Sequence, residues 1–167
     1  EIISKGDVLA TFDQNPFLLS VKETETSVSI SKSKLKQKMA SLEKAKSELN
    51  NSISNKAGSI SKFNDFTLFL EKLDKNLDDK KTLYKNKFIS KKEFEDAKFE
   101  YDSAIFQLST LESEISSLNA TIGSREAQNK IISAEIEEVQ KLIEQTELKL
   151  ESEKLDLSKT KIVSPID

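Results

Sequence analysis

The chain has 167 residues and a net charge of −3, and it contains three glycines, two prolines, no histidine and no cysteine. Because turns depend on glycine and proline, this composition indicates long helices rather than a sheet-rich fold. The lack of histidine and cysteine removes the commonest general base, the thiol nucleophile and the usual zinc ligands, and an acidic chain argues against a nucleic-acid partner; we expect neither an enzyme nor a cofactor.

A short strand is predicted near the start of the chain. Gly6-Asp7 has the composition of a turn, and Val8, Ala10 and Phe12 then follow on one side of an alternating pattern, which is typical of a strand. No signal peptide opens the sequence, and no apolar run approaches the roughly 20 residues that span a bilayer. Because the strand-like pattern is already under way at Glu1, we expect an excised part of a longer protein.

A long helix is predicted next. Asn15 followed by Pro16 is typical of an N-cap and a first helical residue, and no further proline occurs before Pro165. An apolar residue then recurs every seven positions, interrupted once by Lys56, which is the signature of a coiled coil. The members of this stripe are Val21, Val28, Leu35, Leu42, Leu49, Phe63, Leu70, Leu77 and Tyr84.

A second long helix repeats the stripe in mirror order. Ser90-Lys91-Lys92-Glu93 fits a capping box, flanked by Ile89 and Phe94 as a hydrophobic staple, so this helix is predicted to begin at Ser90. The mirror order places Tyr84 opposite Phe94 and predicts an antiparallel hairpin. The second stripe consists of Phe94, Tyr101, Leu108, Ile115, Ile122, Asn129, Ile136, Ile143, Leu150 and Leu157.

The two arms carry opposite charge. Residues 22–90 contain 15 lysines and 9 acidic residues, whereas residues 91–160 contain 9 basic and 16 acidic residues. This asymmetry favours pairing between the arms over association of like arms, although two independent solvated helix faces would also show it.

A weak zone is expected near the middle of the arms. Gly58 and Gly123 lie at similar heights, beside the polar stripe residues Lys56 and Asn129. Because glycine costs a helix about 1 kcal/mol relative to alanine, we expect either a kink or a break of the first helix near Gly58.

A second strand, Lys161-Ile162-Val163-Ser164, is predicted before Pro165. Because a hairpin returns to its origin, this strand should lie beside the first. The predicted fold is mainly α: a long antiparallel two-helix coiled-coil hairpin, residues 16–160, with its tip near 85–91 and short strands at its base.

Three stretches resemble the periplasmic adaptors, or membrane fusion proteins, of the HlyD and EmrA type. KGDVLATFD (residues 5–13) is similar to the first half of the family's lipoyl-like domain, DLSKTKIVSPID (156–167) to the second half, and TLYKNKFISKKEFEDA (82–97) to the hairpin tip. The family inserts its hairpin between the two lipoyl halves. The resemblance therefore implies a first half at residues 1–15 and a truncated second half at 161–167.

The resemblance also implies a function. Such adaptors bridge an inner-membrane transporter and a TolC-like outer-membrane channel in tripartite efflux pumps and type I secretion systems. It implies a periplasmic protein anchored to the inner membrane by a segment outside this sequence, a homo-oligomer (a hexamer), and, given the arm length, an ABC or major-facilitator transporter as partner. Neither Lys5 nor Lys161 lies in the tight turn that lipoylation requires, so no lipoylation is expected.

The family's tip motif is an Arg, a Leu and a Ser at fixed spacing. Leu83 and Ser90 match the last two positions, whereas Asp79 stands where the family has Arg. Ser90 would also serve as a helix cap, and Leu83 as a core residue, without any partner. Phe88 is the aromatic residue of this region that we expect to be exposed. The candidate docking residues are Asp79, Lys80, Lys81, Leu83, Phe88 and Ser90.

Two other classes of protein share parts of this pattern. A structural coiled-coil spacer explains the heptads equally well but not the flanking strands. A surface adhesin or phage fibre is usually parallel and self-associating, which the opposite arm charges disfavour.

Overall fold

The computed structural model describes residue 4 and residues 6–165. It contains strand β1 (Val8–Thr11), helix α1 (Asn15–Lys85), helix α2 (Lys91–Lys159) and strand β2 (Lys161–Val163). The two helices pack as an antiparallel hairpin and the strands form a small antiparallel sheet, so the predicted fold class is confirmed. The expectations concerning Glu1, Lys5 and Asp167 lie outside the described residues.

The chain divides into two compact units. The base unit comprises Glu1–Lys44 and Asn129–Asp167, and the tip unit comprises Ala45–Gln128. Each unit therefore contains a segment of α1 and a segment of α2. Neither described helix combines the length and apolarity needed to cross a membrane.

The sheet of the base unit links the start of α1 to the end of α2, because β1 precedes α1 and β2 follows α2. Val8 pairs with Val163 and Thr11 with Lys161, with an irregularity between Val8 and Ala10. Backbone bonds extend this pairing on both sides: the Gly6 N–H donates to the Ser164 carbonyl at 2.9 Å, and the Phe12 N–H donates to the Thr160 carbonyl at 2.9 Å. The predicted strand pair is confirmed.

Helix α1 begins one residue earlier than the sequence predicts. The Leu18 N–H donates to the Gln14 carbonyl at 2.9 Å, which makes Gln14 the first acceptor of the helix. The Asn15 N–H donates to the Asp13 carboxylate at 3.0 Å, so Asn15 is already helical. The prediction of Asn15 as the N-cap is wrong, because the Asp13 carboxylate supplies the side-chain acceptor from further upstream.

The seam of the base unit follows the predicted heptads. Val21, Val28, Val139 and Ile143 are buried, and Thr24 is buried among them. Three ion pairs flank this seam: Lys32–Glu147 at 2.7 Å, Lys38–Glu135 at 2.6 Å and Lys154–Glu25 at 2.8 Å. Their side chains are partly exposed, so each contributes about 0.2–1 kcal/mol at most.

The seam of the tip unit combines apolar and polar residues. Its buried residues are Leu73, Ala97, Ala104, Ser52 and Ser59. The Ser59 hydroxyl donates to the Glu114 carboxylate across the seam at 2.9 Å, and Arg125 pairs with Glu48 at 2.6 Å. The cross-arm ion pairs described above include pairs with the cation on α1 and pairs with the cation on α2, so ion pairs of both polarities join the arms.

Both helices continue through the predicted weak zone. Gly58 lies within α1 and Gly123 within α2, both exposed. A Cβ atom added at either glycine would meet no heavy atom within 4 Å. The break near Gly58 does not occur, because a single exposed glycine costs too little to outweigh helix on both sides of it.

Candidate functional site: the hairpin tip

Helix α1 ends in a left-handed turn at Lys87. The Phe88 N–H donates to the Leu83 carbonyl and the Lys87 N–H donates to the Tyr84 carbonyl, both at 2.9 Å. This pair of bonds defines a Schellman motif, which satisfies carbonyls at the end of the helix. Lys87 has φ of 60°, a conformation that glycine usually supplies at this position.

Helix α2 begins with the predicted capping box. The Glu93 N–H donates to the Ser90 hydroxyl oxygen at 3.2 Å, and the Ser90 N–H donates to the Glu93 carboxylate at 2.8 Å. The Ser90 hydroxyl also donates to that carboxylate, at 2.9 Å. The backbone N–H of Ser90, with its hydroxyl, lowers the pKa of Glu93 below its ordinary value, because both bonds favour the charged carboxylate.

Aromatic stacking closes the seam just behind the turn. The rings of Tyr84 and Phe94 are stacked, with centroids 5.3 Å apart and planes 5° apart. This contact confirms the predicted pairing across the bend. Phe88 stands outside it, 74% exposed, and Leu83 is 38% exposed. The two residues joined by the Schellman bond therefore form an accessible apolar pair at the tip.

The other candidate docking residues are spread over the last turns of α1 and the turn. Asp79 and Lys81 are exposed in α1, Lys80 is half-buried, and Ser90 is exposed at the start of α2. Of the six candidates, the backbone bond brings Leu83 and Phe88 together, whereas Asp79 lies further back along the helix. The side-chain oxygen of Ser90 is occupied by the capping box.

The tip carries more positive charge than the candidate residues alone indicate. Six lysines and no acidic residue occur between residues 80 and 92. Lys91 pairs with Glu95 at 3.1 Å, and this hydrogen bond raises the pKa of Lys91. Sequence reasoning counted only two of these lysines among the docking candidates, although their density is visible in the sequence. The four that it missed are Lys85, Lys87, Lys91 and Lys92.

Exposed aromatic residues are not confined to the bend. Phe99 and Phe106 are each 75% exposed, as much as Phe88, so the expectation that Phe88 alone would be exposed is wrong. Each lies two positions after a buried seam residue, Ala97 or Ala104. Two positions along a helix place a side chain on nearly the opposite face. The heptad positions of Phe99 and Phe106 therefore predict their exposure.

The tip offers contact surfaces rather than reactive groups. Its described residues provide an apolar pair, a stacked aromatic pair and lysine ammonium groups. The described part of the chain holds no cluster of three or more side chains that could ligate a metal. Such an arrangement suits recognition of another macromolecule.

Comparison with known proteins finds matches among solved structures. No protein-family model matches the sequence, and no curated protein matches it. Among solved structures, the periplasmic adaptor protein EmrA is similar over 100% of this chain, with a TM-score of 0.47 and 16% sequence identity. This chain spans 58% of the length of that structure.

Proposed function

We propose that the chain is the helical hairpin of a periplasmic adaptor that links an inner-membrane transporter to a TolC-like outer-membrane channel. In this proposal residues 16–160 form the hairpin, the tip docks on the channel, and residues 1–15 and 161–167 belong to two halves of a lipoyl-like domain. The protein acts as a homo-oligomer in the periplasm, held at the inner membrane by a segment outside this sequence.

The observation that carries the proposal is the antiparallel pairing of β1, which precedes α1, with β2, which follows α2. The stretches that resemble the two lipoyl halves supply β1 and β2, and these strands pair antiparallel beside the ends of the helices. A hairpin inserted into a β-domain requires this arrangement, because its two insertion points must be neighbours. A coiled-coil spacer does not require paired strands at its base.

The residues at the hairpin tip give a second reason for the proposal. The Leu and Ser positions of the family motif are occupied by Leu83 and Ser90, on the two sides of the turn. Leu83 is accessible and joined to the exposed Phe88. Apolar anchors of this kind, surrounded by polar groups, are typical of the energetic centre of an interface.

The experiment measures export by the full-length protein with its transporter. Leu83→Ser removes the apolar anchor and is expected to reduce export at least tenfold, because an interface hot spot contributes about 2 kcal/mol or more. Ser90→Asp is expected to do the same, because aspartate still accepts from the Glu93 N–H as a helix cap but adds charge and bulk at the tip and loses the hydroxyl donation to the Glu93 carboxylate.

Matched controls separate docking from folding. Leu68→Ser changes a more exposed leucine of the same helix, 58% exposed, and Ser54→Asp adds a carboxylate to an exposed helical position. Both controls should export normally, and all four variants should retain their helicity and expression. Normal export by both tip variants would make the tip a simple turn and would favour the spacer.

A further inference from the structure

The end of the hairpin is a concentrated source of positive charge on an acidic protein. The whole chain has a net charge of −3, yet residues 80–92 contain six lysines and no acidic residue. Lys80 is half-buried and the other five lysines are exposed. Among the described residues only Lys91 of this group forms an ion pair within 4.0 Å, whereas lysines 32, 38 and 154 pair across the seam.

The backbone conformation at Lys87 is unusual for a residue with a side chain. Lys87 occupies the left-handed position of the Schellman motif with φ of 60°, where glycine carries no steric penalty. A charged residue in a strained conformation is a reason to look for a role of its side chain. Its neighbour Phe88 is 74% exposed, so charge and apolar surface lie side by side at the turn.

Carboxylates border the positive region on both helices. Asp78 and Asp79 precede the lysines on α1, and Glu93, Glu95 and Asp96 follow them on α2. Because Tyr84 stacks on Phe94, the α2 carboxylates lie level with the last turns of α1, so only the lysines nearest the turn lie beyond them. Charges are screened over about 8 Å at physiological salt, so a compact group of carboxylates at the turn meets mainly lysines, whereas an extended anionic bilayer would also approach the neighbouring carboxylates.

We propose that the tip recognises an acidic protein surface, in which carboxylate side chains surround an apolar site for Leu83 and Phe88. This inference rests on the proposed function and specifies the chemistry of the docking partner. The lysines steer the tip towards that surface and set its register, because complementary charge governs association rate and specificity. The apolar pair supplies the contact that remains after docking.

The first test uses a fluorescein-labelled decaglutamate peptide as an acidic probe in low salt. The chain is expected to bind it, and the triple variant Lys85→Gln, Lys87→Gly, Lys92→Gln is expected to bind at least tenfold more weakly. The control variant Lys22→Gln, Lys36→Gln, Lys44→Gln removes three exposed lysines from the base unit and should change binding less than twofold. Absence of binding, or an equal loss in the control, would overturn the proposal.

Vesicles of phosphatidylglycerol and phosphatidylcholine provide the opposing probe. In the same low-salt buffer the chain should bind them more weakly than it binds the peptide, and stronger binding to vesicles than to the peptide would make the tip a lipid-binding element and contradict the proposal. Lys87→Gly alone should raise the urea midpoint, because it relieves the left-handed conformation, while it weakens peptide binding. That combination excludes misfolding as the cause of lost binding.

Export by the full-length protein separates this inference from the proposed function. The triple lysine variant is expected to lower export at least tenfold, as Leu83→Ser does. If the lysine variant exports normally while Leu83→Ser fails, the tip docks without an acidic partner and this inference is wrong. If both export normally, the proposed function is wrong as well.

Discussion

Replacing Gly58 by alanine is expected to stabilise the hairpin. Gly58 is helical and exposed, it lacks a positive φ, and a Cβ atom added there would meet no heavy atom within 4 Å. The substitution therefore keeps the backbone and removes only the entropic cost of glycine, which is about 1 kcal/mol in a helix interior. Gly123 meets the same conditions in α2, so the double variant should gain about 2 kcal/mol.

Urea unfolding followed by far-ultraviolet circular dichroism measures this gain. With a slope of about 1–3 kcal/mol per molar urea, each substitution should raise the midpoint by roughly 0.3–1 M without changing the slope. Ala57→Gly is the matched control, because Ala57 is the exposed neighbour of Gly58 in the same helix. It should lower the midpoint by a similar amount.

A loss of stability in Gly58→Ala would refute this reasoning. It would mean that Gly58 adopts positive φ in solution, so that α1 is two helices joined at that point. A normal loss in Ala57→Gly together with no gain in Gly58→Ala would instead place a neighbouring group against the Cβ position. Hydrogen exchange at residues 56–60 would then distinguish a local opening from a steric contact.

The parts of the fold that the sequence predicts are those determined by local patterns. The heptad stripe needs only the period of the helix, and the capping box at Ser90 and Glu93 needs only four consecutive residues. The strand pair also follows, because a hairpin returns its two ends to the same place. These predictions required no knowledge of which side chains meet.

The turn itself could not be predicted in detail. Its Schellman motif usually places glycine at the left-handed position, and the sequence has Lys87 there, so the usual signal is missing. The start of α1 was misplaced for a similar reason, because Asp13 and Asn15 are both good capping residues. Which of them caps the helix depends on the backbone conformation of the short segment that connects β1 to α1.

The polar residues of the seam could not be predicted from local sequence, because their burial depends on contacts between the two helices. Ser59 is buried and bonded to Glu114 on the other helix, and neither residue carries a pattern that points to the other. Thr24 is also buried, although it lies outside the apolar stripe of the first helix. Small hydroxyl residues fit where the helices approach closely, and this depends on the facing residue as much as on their own identity.

The remaining predictions concern the chain in solution. The isolated chain should sediment as an 18.8 kDa monomer at micromolar concentration, because its seams are satisfied internally; a stable hexamer would contradict this. Fluorophores at Lys22 and Lys154 should transfer energy efficiently within one molecule at any dilution, and a loss on dilution would mean association between chains. The base unit should also lose stability in acid through Glu153. Interaction with the side-chain hydroxyl of Thr24 lowers the pKa of Glu153 below its ordinary value and outweighs the opposing effect of burial. Its contribution is therefore complete above the unfolded pKa and is lost as the pH falls through the folded pKa. Thr24→Val removes the main donor, so the urea midpoint of this variant should fall less between pH 6 and pH 3 than that of the unmodified chain; equal pH dependence would mean that the bond does not contribute in solution.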